Sequence, residues 1–306
     1  MENKKFYGTE SDVMFKCLFG AQENEKITKD FLEFITNEKI EKVTLDHKLE
    51  LGKLSPESKE LKTDIKAKDE KLRNYLLEMQ NRTNLLLPKR FLSYLCRAYV
   101  ADLKIADKYS MLKQTVLIVI MNESFPQISK NSNYHTQWLF KEKETNEVLS
   151  EDLQIHIIEL PKYKNQKKKT NKIEPWIEFL IDPLSGEVEK MARSKEELRE
   201  AVEMLKKLNA DEEVRRIAEA EEMEKLDRNT EIYLAKEEGL AEGRVSGIAE
   251  GRASGLAEGK ASGKYEEKII IAKKMLEQKA DTEFIRICTG LTKDEIEKIE
   301  KQMSEK

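Results

Sequence analysis

The sequence predicts an α/β protein: one mixed sheet flanked by helices, followed by a long helical tail and a small helical C-terminal segment. Three observations carry that prediction. Residues 61–67 and 75–80 alternate at period two on either side of a charged turn, the pattern of a β-hairpin. Val116 to Met121 is an unbroken apolar run, too short to cross a bilayer and suited to a buried strand. From about residue 190 onward Glu and Lys dominate at helical periodicity, and a glycine recurs every four residues from Gly239 to Gly263.

The elements follow in order. A first helix holds Asp12 to Leu18, with Ser11 or Asp12 as its cap. A second runs near Asn24 to Ile35, where Ile27, Phe31, Phe34 and Ile35 share a face. The hairpin comes next. With Asp69 to Arg73 as its turn, Ile65 faces Leu77 and Ala67 faces Tyr75, which gives an apolar face for a core. A helix is predicted from Pro88 to Tyr109, then a strand over Gln114 to Met121. Tyr134 to Phe140 and Leu153 to Leu160 read as further strands, and residues 172–181 as a short helix around Trp176. Leu198, Val202, Leu205 and Leu208 lie at helical spacing within so much charge that a solvated, salt-bridged helix is expected. The glycine repeat suits either a close-packed stalk or a flexible spacer, since each glycine costs a helix about 1 kcal/mol relative to alanine but permits close approach. Near the C-terminus, Asp281 to Cys288, Gly290 and Thr292 to Met303 suggest two short helices around a glycine turn, similar to a helix-turn-helix. The boundaries expected are 1–185, 186–238, 239–264 and 265–306.

Composition excludes little but constrains much. The net charge of −4 gives no global basic field for nucleic acid, so any such binding must use a local patch. Three distant cysteines, Cys17, Cys96 and Cys288, have no metal-ligand spacing. They are expected to be buried structural thiols in a reducing, cytoplasmic setting. The opening residues show no secretory signal and no segment spans a membrane.

The hairpin's second face is the chemical one. The same register sets Asp64 opposite Glu78, with Gln80 beside them. Two close carboxylates resist joint ionisation unless a cation or a shared proton relieves them. Mg²⁺ is the natural cation, since it takes carboxylates, waters and substrate phosphates. A solvent-facing acidic pair of no function is the other reading, and the hairpin alone leaves both open.

Six pieces in chain order decide between them. They are Asp12-Val13-Met14-Phe15-Lys16-Cys17-Leu18-Phe19-Gly20; Glu23-Asn24 with Phe31-Leu32; Lys62-Thr63-Asp64-Ile65; Leu77-Glu78-Met79-Gln80; Arg90 with Tyr94; and Ile155 to Lys162. Together they resemble the Rpn family of recombination-promoting nucleases and transposases, a branch of the PD-(D/E)XK nuclease superfamily. The resemblance covers roughly residues 10 to 182. It implies a restriction-endonuclease-like sheet and a Mg²⁺- or Mn²⁺-dependent endonuclease acting on DNA. By the same resemblance Asp64 and Glu78 are metal ligands, and the backbone carbonyl of Met79 is a third. Gln80 stands where the superfamily usually has lysine. It can orient water and donate a neutral hydrogen bond but brings no charge, so activity weaker than that of a lysine site is expected.

Accessory positions are expected to be drawn from Asp12, Glu23, Asn24 and Glu25 near the metal, and from Arg90 and Tyr94 near the phosphate. Each acid could equally be a cap or a solvated charge. His47, His135 and His156 are scattered, and His156 lies within an apolar strand. Lys164, Lys167, Lys168 and Lys169 belong to the most basic stretch, read as a solvated loop that would bind DNA phosphates if it borders the cleft. The alternative to an enzyme is a catalytically weak or inactive nuclease-fold protein that forms homo-oligomers through the helical tail.

Overall fold

The computed structural model describes residues 5–45, 63–104, 108–125, 130, 132–170 and 172–304. The chain divides into two units, Met1–Lys225 and Leu226–Lys306. His47 and the first two residues of the predicted hairpin, Leu61 and Lys62, lie outside the described residues.

The first unit is built on one six-stranded sheet. Its strands are β1 (Val43–Leu45), β2 (Ile65–Asp69), β3 (Asn74–Gln80), β4 (Thr115–Met121), β5 (His135–Lys141) and β6 (Val148–Glu159), in the spatial order β1-β2-β3-β4-β6-β5. β3, β4 and β6 run parallel, and the other neighbours are antiparallel. The β2–β3 hairpin has the predicted register, with Ile65 opposite Leu77 and Ala67 opposite Tyr75. Its turn is held by Asp69, whose carboxylate accepts from the N–H groups of Lys71 and Arg73 at 3.0 and 2.8 Å. Leu72 takes the left-handed conformation that closes it, at φ 63°.

Every residue of β4 is buried, because helices cover both sheet faces. On one face Tyr75, Leu77, Val116, Ile118 and Ile158 pack with α1 (Asp12–Gly20), α2 (Glu25–Thr36) and α5 (Pro175–Ile181). Phe19, Phe31 and Trp176 meet there at ring separations of 4.9 to 6.0 Å. On the opposite face Leu76, Leu117, Val119 and Met121 pack with Phe91, Tyr94 and Leu95 of α3 (Leu87–Val100).

Several expectations are corrected. α3 ends at Val100 rather than Tyr109, and a short 3-10 turn follows at Tyr109–Met111. The basic stretch is not a loop but helix α4 (Leu160–Thr170), continuing directly from β6. α6 (Gly186–Ala192) and α7 (Glu196–Ala210) follow α5. The α7 face expected to be solvated is core: Leu198, Ala201 and Leu205 are fully buried against α1 and α2, while its charged residues face outward. Cys96 and Cys288 are exposed and Cys17 is half-buried, so the thiols are not the buried set expected; all three are free.

α8 (Glu212–Glu277) begins in the first unit and carries the whole glycine repeat as helix. An added Cβ at any of its seven glycines from Gly239 to Gly263 would meet nothing within 4 Å. In the second unit, the end of α8 packs with α9 (Thr282–Thr289) and α10 (Lys293–Ser304) around Ala272, Ile285, Leu291, Ile296 and Ile299. Gly290, at φ 66°, makes the predicted turn. Thr292 and Glu295 then form a reciprocal capping box at the start of α10. Among the described residues no helix is long and apolar enough to cross a membrane.

His135 Nε2 and His156 Nδ1 lie 2.9 Å apart between β5 and β6. Burial and the neighbouring His135 push His156 down to about 4. The folded state therefore holds His156 neutral, while the unfolded chain binds a proton from about pH 6.5 downward. Stability is lost as pH falls from about 6.5 to about 4, and full separation is equivalent to about 3 kcal/mol. Urea midpoints measured between pH 7 and 4.5 should fall more steeply for the wild type than for His156→Gln.

Candidate active site

The predicted acids meet where β2 begins. β2's ladder starts at Ile65, so Asp64 sits just outside it and is tied to β3 through side chains. The Met79 N–H donates to Asp64 Oδ2 at 3.0 Å. The Asp64 N–H donates to Glu78 Oε1 at 3.1 Å. Alternate residues of a strand address alternate neighbours, and Gln80's carbonyl accepts from Asn122 N–H toward β4 at 3.0 Å. Met79's peptide therefore addresses the hairpin side, with Asp64.

Two helices bring cations to this pair. From α1, Lys16 Nζ lies 3.2 Å from Asp64 Oδ1. From α3, Arg90 Nη2 donates to Glu78 Oε2 at 3.0 Å, with its guanidinium 5.3 Å from the centre of the Tyr94 ring. Glu78 is 2 % exposed, under α3. Its burial and the nearby Asp64 charge push its carboxyl up to about 8, against the opposing pull of Arg90. Burial works against the charge on Lys16, but Asp64 outweighs it and raises the ammonium above its ordinary range.

Gln80 lies beside them with its Oε1 buried and without a hydrogen-bond partner. Two carboxylates, with that orphaned acceptor beside them to take a hydrogen from a metal-bound water, form a set of hard oxygens that fits a hydrated Mg²⁺ or Mn²⁺. Among the described residues there is no group of three or more His, Cys, Asp or Glu side chains that could hold a metal. An ion here would thus need waters or phosphate oxygens besides the two acids, which is the usual condition of Mg²⁺.

The remaining candidates divide. Asp12 opens α1, its Oδ1 3.8 Å from Lys225 Nζ, and its charge also bears on Lys16. Asn24 is buried and its Nδ2 donates to the Cys17 and Leu18 carbonyls at 3.1 and 2.9 Å, closing the end of α1. Glu25 Oε1 accepts from Leu45 N–H at 3.4 Å. On α4, Lys167 pairs with Glu178 at 2.6 Å and Glu187 at 3.4 Å, whereas Lys164 and Lys168 are exposed. The Lys169 side chain is outside the described residues. His156 is buried, beside the half-buried His135.

Lys16 was not singled out from the sequence. It stands within the first of the six motif pieces, but nothing local to α1 reports the sheet residue that it meets.

The family model described as PD-(D/E)XK nuclease family transposase matches residues 9–235 of the chain. No curated protein and no solved structure matches it.

Asn24 is the accessory candidate that the geometry assigns to structure. Asn24→Ala would leave buried helix-end carbonyls unpaired and should destabilise the protein by about 1–3 kcal/mol. Urea unfolding measures that loss, and calorimetric titration with a divalent cation should show affinity unchanged from the wild type.

Proposed function

The chain belongs to the PD-(D/E)XK nuclease family transposases, and from that premise we propose that it is a metal-dependent endonuclease hydrolysing phosphodiester bonds in DNA. The observation that carries the reading is the reciprocal contact of Asp64 and Glu78 across one hairpin, with a base from each flanking helix. Asp64 and Glu78 would hold Mg²⁺ or Mn²⁺ through carboxylate oxygens, with the Met79 carbonyl as a further ligand. When bound, such an ion polarises the phosphate and favours hydroxide over water.

The chain's own groups supply the rest. Gln80 Oε1 is free to accept a hydrogen from the attacking water and aim its lone pair at phosphorus. The amide brings no positive charge to the developing negative charge, so activity below that of a lysine site is expected. Arg90 presents a planar fork to a phosphate oxygen, with the Tyr94 ring beneath its guanidinium. Lys164, Lys168 and Lys169 of α4 are proposed contacts to flanking phosphates. Water adds to phosphorus as the bond to the leaving oxygen breaks; the water gives one proton to bulk solvent, and the leaving oxygen takes one up from solvent.

One observation favours a second reading, a weakly active or inactive protein that self-associates through α8. Leu240, Ile248 and Leu256 recur every eight residues along the glycine repeat, each exposed.

Purified protein incubated with supercoiled plasmid and Mg²⁺ should nick it, and chelation should stop the reaction. Asp64→Ala and Glu78→Ala should each lower the rate by at least about 100-fold, because a catalytic metal supplies several kcal/mol. Equal nicking by all three proteins would sink the proposal, and no nicking by the wild type would favour the second reading.

A further inference from the structure

All four oxygens of the acid pair already accept a donor. Asp64 Oδ2 and Glu78 Oε1 take backbone N–H groups, while Asp64 Oδ1 and Glu78 Oε2 take Lys16 and Arg90. The two kinds of donor differ in what they allow. A carboxylate oxygen has two lone pairs, so a fixed, neutral N–H is compatible with a cation on the same oxygen. A side-chain cation is not, since it repels an entering divalent ion. Lys16 and Arg90 are 48 % and 39 % exposed at the side chain, and both sit on long stems that can swing.

We infer that Lys16 and Arg90 are displaceable caps on the acid pair, drawn off by a phosphodiester, so that nucleic acid and divalent cation bind this site cooperatively. The inference rests on the nuclease reading of Asp64 and Glu78. The phosphate anion is the group that rewards both bases for leaving the carboxylates, and the uncovered carboxylates then favour the metal. By linkage, the metal must improve DNA affinity by the same factor that DNA improves metal affinity. Lys16 thereby gives the phosphate a positive charge from α1 that Gln80 does not supply from β3.

The test uses Ca²⁺, read by calorimetry on the full chain, and a short fluorescent duplex, read by anisotropy with Ca²⁺ or with chelator. Wild type should bind the duplex about tenfold more tightly with Ca²⁺ present, within the usual range of coupling. Lys16→Met and Lys16→Gln should each bind Ca²⁺ alone about fivefold or more tightly than wild type and show at least a threefold smaller coupling. Lys16→Arg should keep the wild-type behaviour. If Asp64→Ala abolishes Ca²⁺ binding but neither neutral Lys16 variant tightens it, the caps are refuted and the acid pair stands as a metal site. If no variant shows Ca²⁺ binding that depends on Asp64, the nuclease reading falls and the inference with it.

Discussion

The reciprocal hold between Asp64 and β3 is the constraint from which the site follows. Asp64 accepts from the Met79 N–H and donates its own N–H to Glu78, so one residue continues the hairpin by side-chain contacts where the ladder has stopped. The arrangement requires the register that sets Ile65 against Leu77. A slip of one residue would turn Glu78 into the α1–α2 core and bring Leu77 to the face under α3. The apolar face of the hairpin thus fixes the chemistry of the polar one.

Burying Glu78 is costly for a charged group unless a partner comes with it. The partner is part of the same packing. α3 covers its sheet face with Phe91, Tyr94 and Leu95, and Arg90 stands one turn before Tyr94, so the helix that buries the acid also delivers the base. α1 does the equivalent from the other side of the sheet, with Phe15 and Phe19 inward and Lys16 at Asp64. Two acids meet two bases, each from an element whose position is set by hydrophobic burial.

Much of this was legible in the sequence because period-two alternation is a local signal. The hairpin register, the turn at Asp69 and the pairing of Asp64 with Glu78 needed only residues 63–80. β4 was legible as an apolar run, and the α9–α10 turn as a glycine between periodic segments. Lys16 was not, since its role depends on a sheet contact 48 positions away that no helical pattern reports. α4 was misread because Lys-rich residues signal solvation whether the backbone is loop or helix. α7 was misread because high charge masked a narrow apolar stripe, and only the tertiary contact shows that Leu198 and Leu205 are core.

That misreading of α7 bears on how α1 is held. Asn209 at the end of α7 exchanges hydrogen bonds with the Tyr7 backbone, accepting at 2.8 Å and donating at 2.9 Å. Twelve residues on, α8 sends Glu221 back to the start of α1, where it accepts from the Ser11 hydroxyl at 2.9 Å and the Val13 N–H at 3.3 Å. An acid at a helix N-terminus meets unpaired N–H groups and the positive end of the dipole. Glu221 thus supplies α1 with a cap that Ser11, which makes no side-chain cap bond, does not. The family match running to residue 235, far beyond the sheet, is consistent with that dependence. The segment that sequence charge assigns to a tail begins as the brace for the helix that carries Lys16, and so reaches the acid pair through α1.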